Sequence, residues 1–153
     1  MAKRNSNGCH GRCVDLADTV PAADYLAHEA LKRFSQTTEA RPEGSVLFEE
    51  GAAPTGVFLL RAGRVKLSVS SRKGKTVLLQ VASPGEFLGL GAVLAGRPYE
   101  MTAQTVSPAE VVFAPREEFI RFLRERPPVC LEVIRLLSYE LIAAYERVRT
   151  LRR

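Results

Sequence analysis

A chain of 153 residues and 16.8 kDa is the size of one domain and long enough to bury a core of its own. Hydrophobic residues make up 46% and charged residues 25%, the balance of an ordinary soluble globular protein, and no apolar run approaches the roughly 20 residues of a membrane helix. The net charge of +5 invites a nucleic-acid reading, but the basic clusters lie at the two ends with acids and bases mixed between them, and a helix C-terminus attracts cations without any DNA.

Residues 1–20 are polar and without periodicity, a tail carrying Lys3, Arg4 and Arg12. Basic residues with no apolar stretch behind them are not a secretory signal, and three cysteines, an odd number, fit a reducing cytoplasm. From Pro21, "AADYLAHEALKRF" sets Tyr25, Leu26, Ala30, Leu31 and Phe34 on one helical face. "SQTTEARPEG" reads as a connecting loop.

The period then shifts towards two. "VLFEEG" predicts a short strand, and "GVFLLRAGRVKLSVS" two strands around Ala62-Gly63. "SRKGK" turns into "TVLLQVA", where Val77, Leu79 and Val81 share a face, and Pro84-Gly85 makes the next turn. "EMTAQTV" and "AEVVFA" are further strands joined across Ser107-Pro108. Short strands broken by glycine or proline predict an all-β sandwich or barrel spanning 21–126 with small flanking helices.

After Pro115 the helical period returns in "REEFIRFLRER", and Pro127-Pro128 suits the first turn of a final helix, filling 127–153. On that helix Cys130, Ile134, Leu137, Leu141, Ala144, Val148 and Leu151 follow spacings of three and four, the seam of a helix that pairs with its own copy. Leu131, Val133, Leu136, Tyr139, Ile142 and Tyr145 form a second apolar set, expected to pack on the β domain.

A leading helix, a β-roll, a small helix and a long dimer helix together resemble the sensor domain of the Crp/Fnr family of transcription regulators. "PEGSVLFEEGAAPTGVFLLRAGRVKLSVS" is similar to that family's opening hairpins, and "SPGEFLG" to its turn into the ligand cassette. The resemblance implies a double-stranded β-helix, a jelly-roll β-roll of the cyclic-nucleotide-binding kind, followed by a dimerisation helix. It also implies DNA contact only through a winged helix-turn-helix, which this chain, ending at Arg153, does not carry. A fragment, a natural one-domain protein and a truncated gene product all fit that ending.

Cyclic-nucleotide-binding members carry F-G-E-L-A and, after a short loop, P-R-A-A-T, in which the glutamate takes the ribose hydroxyl and the arginine the cyclic phosphate. Laid on "FLGLGAVLAGRPYEMTAQT", Leu88, Gly89 and Leu90 take the first three positions, with Gly91 after them. Pro98 keeps the proline, Tyr99 replaces the arginine, Glu100 adds a carboxylate beside the phosphate position, and Thr102 keeps the threonine. Arg97 is the nearest arginine that could swing in. Each lost anchor costs about 1.5–3 kcal/mol, so cyclic AMP is not the expected effector and its identity stays open.

Other chemistry is thinner. Cys9, His10 and Cys13 lie in the tail, with Cys130 far along the chain; an iron–sulfur cluster or zinc site wants four ligands, so no metal or other cofactor is assigned. The two histidines, His10 and His28, both precede the first strand, and no nucleophile triad or phosphate loop appears, so no enzyme is expected. The expectation is a cytoplasmic, homodimeric sensor domain with no membrane partner and an unknown small effector. A stand-alone regulator acting by protein–protein contact is the alternative, and a metal-based redox sensor the third.

Overall fold

A computed structural model describes residues 22–151. Helix α1 (Ala22–Phe34) and a single 3-10 turn (Ser35–Thr37) lead into β1 (Thr38–Arg41), β2 (Val46–Phe48), β3 (Gly56–Ala62), β4 (Val65–Ser70), β5 (Thr76–Ala82) and β6 (Phe87–Leu88). Helix α2 (Leu90–Ala95) follows, then β7 (Thr102–Thr105), β8 (Ala109–Pro115), α3 (Arg116–Glu125) and α4 (Pro127–Leu151).

The strands form two four-stranded antiparallel sheets, ordered β1-β8-β3-β6 and β2-β7-β4-β5. The chain changes sheet at almost every turn, the winding of a β-roll. Leu47, Phe48, Val65, Leu67 and Ala103 from one sheet join Val57–Leu60, Val111 and Val112 from the other in a single core. Strand β3 is buried without interruption from Gly56 to Leu60 because helices α2 and α3 lie against it; this is why its sequence is an apolar run and not an alternation. Phe119 and Phe122 of α3 are fully buried, each contributing about 1.5–3 kcal/mol.

Two expectations are corrected. "SQTTEARPEG" is not all loop: Thr38–Arg41 pairs with β8 from Thr38↔Val112 to Arg41↔Ala109. It lacks an apolar residue larger than alanine because it is an edge strand with no fully buried position, so burial left no period to read. The second apolar set of α4 does not all pack on the roll. Val133 is buried and Leu136 half-buried, but Leu131, Tyr139, Ile142 and Tyr145 are exposed: Leu131, between buried Val129 and Val133, lies on the outer side of the helix, and the other three lie beyond the last of its buried positions. No described helix is long and apolar enough to cross a membrane.

Candidate functional site

A cavity of about 470 Å³ lies between the roll and α4. Its apolar wall is Leu67, Leu79, Phe87, Leu90, Met101 and Leu136, and its polar lining is Gln80, Glu86, Glu100, Glu140 and Arg147. The floor is shaped by the turn into α2. Gly89 holds φ +84°, which a side chain rarely adopts, and a Cβ there would stand 2.9 Å from the Tyr99 ring. The far end of α2 is tied down by Arg116, whose Nε donates to the Val93 carbonyl at 2.9 Å.

Of the cassette residues singled out from the sequence, Gly89, Leu90, Gly91 and Glu100 line this cavity, and Arg97, Pro98, Tyr99 and Thr102 do not. Arg97 and Pro98 are exposed outside it. Thr102 is turned to the β2–β3 loop, its Oγ1 accepting the Glu50 N–H at 2.9 Å. Tyr99 is a core residue, 2% exposed. Its ring stacks on Phe48 with centroids 4.0 Å apart, and its hydroxyl donates to the Gly56 carbonyl at 2.6 Å and accepts the Gly56 N–H at 3.0 Å. An aromatic side chain that large stays off a charged cavity wall when a dry slot is available.

The electrostatics of the cavity are set by carboxylates from three elements: Glu86 before β6, Glu100 after α2, and Glu140 on α4. Partial burial at the wall, and then the facing charges of Glu86 and Glu100, push the Glu140 carboxyl above its ordinary value. The Glu100 Oε2 lies 3.9 Å from where a Cβ on Gly91 would be, at the first turn of α2. Arg147 is the one cation of the lining, and it belongs to the outer part of α4. Glu140 and Leu136 could not be assigned to the cavity from sequence, since nothing local marks which part of a long helix faces the roll.

The residues of the expected dimer seam divide by position along α4. Cys130 and Leu137 are half-buried against the core, Ala144 is half-exposed, and Ile134, Leu141, Val148 and Leu151 are exposed. Val129, fully buried at the root of the helix, belongs to neither apolar set and was missed. Cys9, His10 and Cys13 lie outside the described residues. Among those described, no cluster of histidine, cysteine and carboxylate side chains could hold a metal, and His28 is exposed on α1.

The comparisons with known proteins agree with this architecture. Residues 39–126 match the cyclic nucleotide-binding domain family. The transcriptional activatory protein AadR of Rhodopseudomonas palustris is 28% identical over 145 residues, covering 95% of this chain and 58% of AadR. The catabolite activator protein of Thermus thermophilus superposes with a TM-score of 0.73 at 24% identity, over 83% of this chain and 59% of that one. The sensor domain of the regulator DNR from Pseudomonas aeruginosa gives 0.63 at 21% identity, over 76% and 79%. The chain spans about half the length of the curated relatives it matches.

Proposed function

The chain belongs to the cyclic nucleotide-binding domain family, and from that premise we propose that it is the effector-sensing and dimerisation domain of a Crp/Fnr-type transcription regulator, with an effector that is not a cyclic nucleotide. The observation that carries this reading is the charge of the cavity. Three carboxylates face it and one guanidinium flanks it. A cyclic phosphate entering there meets net negative charge. The positive end of α2, which would attract it, already has the Glu100 carboxylate alongside. Apolar wall and acid lining together favour a small amphipathic ligand, neutral or cationic.

The signal leaves through α4, which supplies Leu136, Glu140, Ala143 and Arg147 to the cavity and continues as an exposed apolar stripe. A ligand that binds two positions of α4 differently shifts the balance between them, and two copies joined along that stripe would feel the shift as a change in packing. DNA recognition would belong to a further domain, and no catalysis is assigned.

Calorimetry of the purified protein with cyclic AMP and cyclic GMP tests the effector reading: no saturation is expected at micromolar ligand, and a saturable micromolar isotherm overturns it. A second reading, a stand-alone regulator acting by protein contact, is favoured by the exposed Val77, Leu78, Leu79 and Val81 of β5, which are 44–57% exposed. Native mass spectrometry separates the two, since the first requires a homodimer and the second is served by a monomer that acquires a foreign partner.

A further inference from the structure

Helices α3 and α4 meet with a single residue between them. Arg126, at φ −130° and ψ 81°, donates its N–H to the Phe122 carbonyl at 3.1 Å and so closes α3. Its own carbonyl accepts the Val129 and Cys130 N–H groups at 2.9 and 3.1 Å and so opens α4. Pro127 and Pro128 have no N–H to offer an alternative. The corner between the helices therefore turns at the backbone torsions of Arg126, and α4 leaves it packed on the core through Val129 and Val133.

The side chains at this corner are held from α1. Arg126 Nη2 lies 2.7 Å from Glu29 Oε1, and the Glu29 side chain is only 7% exposed. Glu29 Oε1 takes no hydrogen bond of good geometry, so the charge of Arg126 is what balances it, with Lys32 at 3.4 Å on the other oxygen. One turn along α1, Arg33 pairs with Glu125 at 3.2 Å and lies 5.5 Å over the Phe122 ring. Consecutive corner residues of opposite sign thus meet α1 residues of opposite sign. Burial pushes the Glu29 carboxyl up, but the contact with and charge of Arg126, aided by Lys32, hold it below the ordinary carboxylate value. It is ionised at neutral pH, and removing Arg126 strands its buried charge, whereas removing Glu29 frees the Arg126 side chain, 43% exposed, to turn to solvent.

We infer that α1 is an electrostatic clamp on this corner, in which Glu29–Arg126 and Arg33–Glu125 fix the angle of α4 and hence the width of the cavity. Glu29 and Arg126 are positioning residues. The α4 side chains of the cavity begin at Leu136 and end at Arg147, roughly 15–30 Å along the helix from the pivot. A turn of ~5° at Arg126 therefore moves the cavity mouth by about 1–3 Å. The cavity's role as effector site rests on the reading proposed above, whereas the clamp is tested without any ligand.

The test is pulsed electron resonance on the full chain. Native cysteines are replaced (C9S, C13S, C130A), spin labels are placed at the exposed positions of Lys73 and Arg149, and excess unlabelled protein suppresses distances between copies. The parent should give one narrow distance. Glu29→Gln and Arg126→Gln should broaden it or shift it by more than about 3 Å, the displacement of a lever this long, with roll strands β3 and β8 keeping their hydrogen-exchange protection. Glu125→Gln, which breaks only the outer pair, should shift it less, and it carries the test if the buried variants do not fold. An unchanged distance in the folded variants, or loss of protection throughout the roll with α4 no more affected than β3, overturns the clamp.

Discussion

Tyr99 and Gly56 hold each other by a reciprocal pair of hydrogen bonds, hydroxyl to carbonyl at 2.6 Å and N–H to hydroxyl at 3.0 Å. Strand β6 pairs with β3 only at Phe58 and Leu59, so the β3 edge at Gly56 has no strand beside it and the phenol takes its place. Tyr99→Phe keeps the ring on Phe48 but leaves a buried donor and acceptor unpaired. A loss of about 1–3 kcal/mol is expected in urea unfolding, and a change within 0.5 kcal/mol would mean that the edge finds other partners.

The same contact bears on any attempt to rebuild a nucleotide site. Grafting the missing anchors as Leu90→Glu with Tyr99→Arg looks sufficient in the sequence, but position 99 opens on the core and not on the cavity. An arginine there loses the stacked ring and buries an unpaired charge, a penalty of about 3 kcal/mol or more. The double variant should melt well below the parent and show no cyclic AMP isotherm in calorimetry. A folded, micromolar binder would place the side chain of residue 99 in the cavity after all.

What could be read from the residues, and what could not, follows from where the information lies. The roll's strands were legible where glycine and proline mark the breaks, and β3 was legible as a strand because both its faces are covered. Strand β1 was invisible because "TEAR" sits on an exposed edge and needs no apolar residue. Of the residues aligned with the family cassette, Gly89, Leu90, Gly91 and Glu100 lie at the cavity, and Arg97, Pro98, Tyr99 and Thr102 do not. Alignment does not give the direction of a side chain: position 99 keeps its place in the chain while the tyrosine ring turns into the core against Phe48. Glu29 gave no signal at all: its partner is Arg126, nearly a hundred residues on, and a buried charge is recognised only once its counter-charge is seen.

The exposed stripe of α4 gives a direct test of self-association. Leu141 and Val148 are 53% and 56% exposed and take no part in the core, so arginine at both leaves the roll intact. Leu137 is a poorer choice because it is half-buried against that core. If two copies pair along this stripe, Leu141→Arg with Val148→Arg sets like charges against a dry seam. The dissociation constant should rise by about a hundredfold, near 2.7 kcal/mol. Sedimentation should then show monomers where the parent is dimeric, with the same thermal unfolding of the roll once concentration is matched. A dimer that survives both charges places the interface elsewhere.

Glu140 carries the pH dependence of the cavity. It faces Glu86 and Glu100 from the roll, with Gln80 neutral beside them and Arg147 the cation on its own helix. Burial and those two charges raise its proton affinity in the folded state, so the fold binds a proton more tightly than the unfolded chain does. Stability from this group is therefore lowest at neutral and alkaline pH, where the side chain is charged against its neighbours. It is gained as pH falls through the raised folded value towards the ordinary carboxylate range. Glu140→Gln removes the repulsion and should stabilise the protein at pH ~7.5 by a few tenths of a kcal/mol, the size expected for a group this exposed. The difference from the parent should shrink as the pH falls to the ordinary glutamate value of about 4.3, by which point the parent's raised carboxyl has already taken up its proton. Urea unfolding at the two pH values measures both quantities. A Gln variant less stable than the parent at neutral pH would mean that Glu140 is attracted to something in the cavity, with Arg147 the group to examine first.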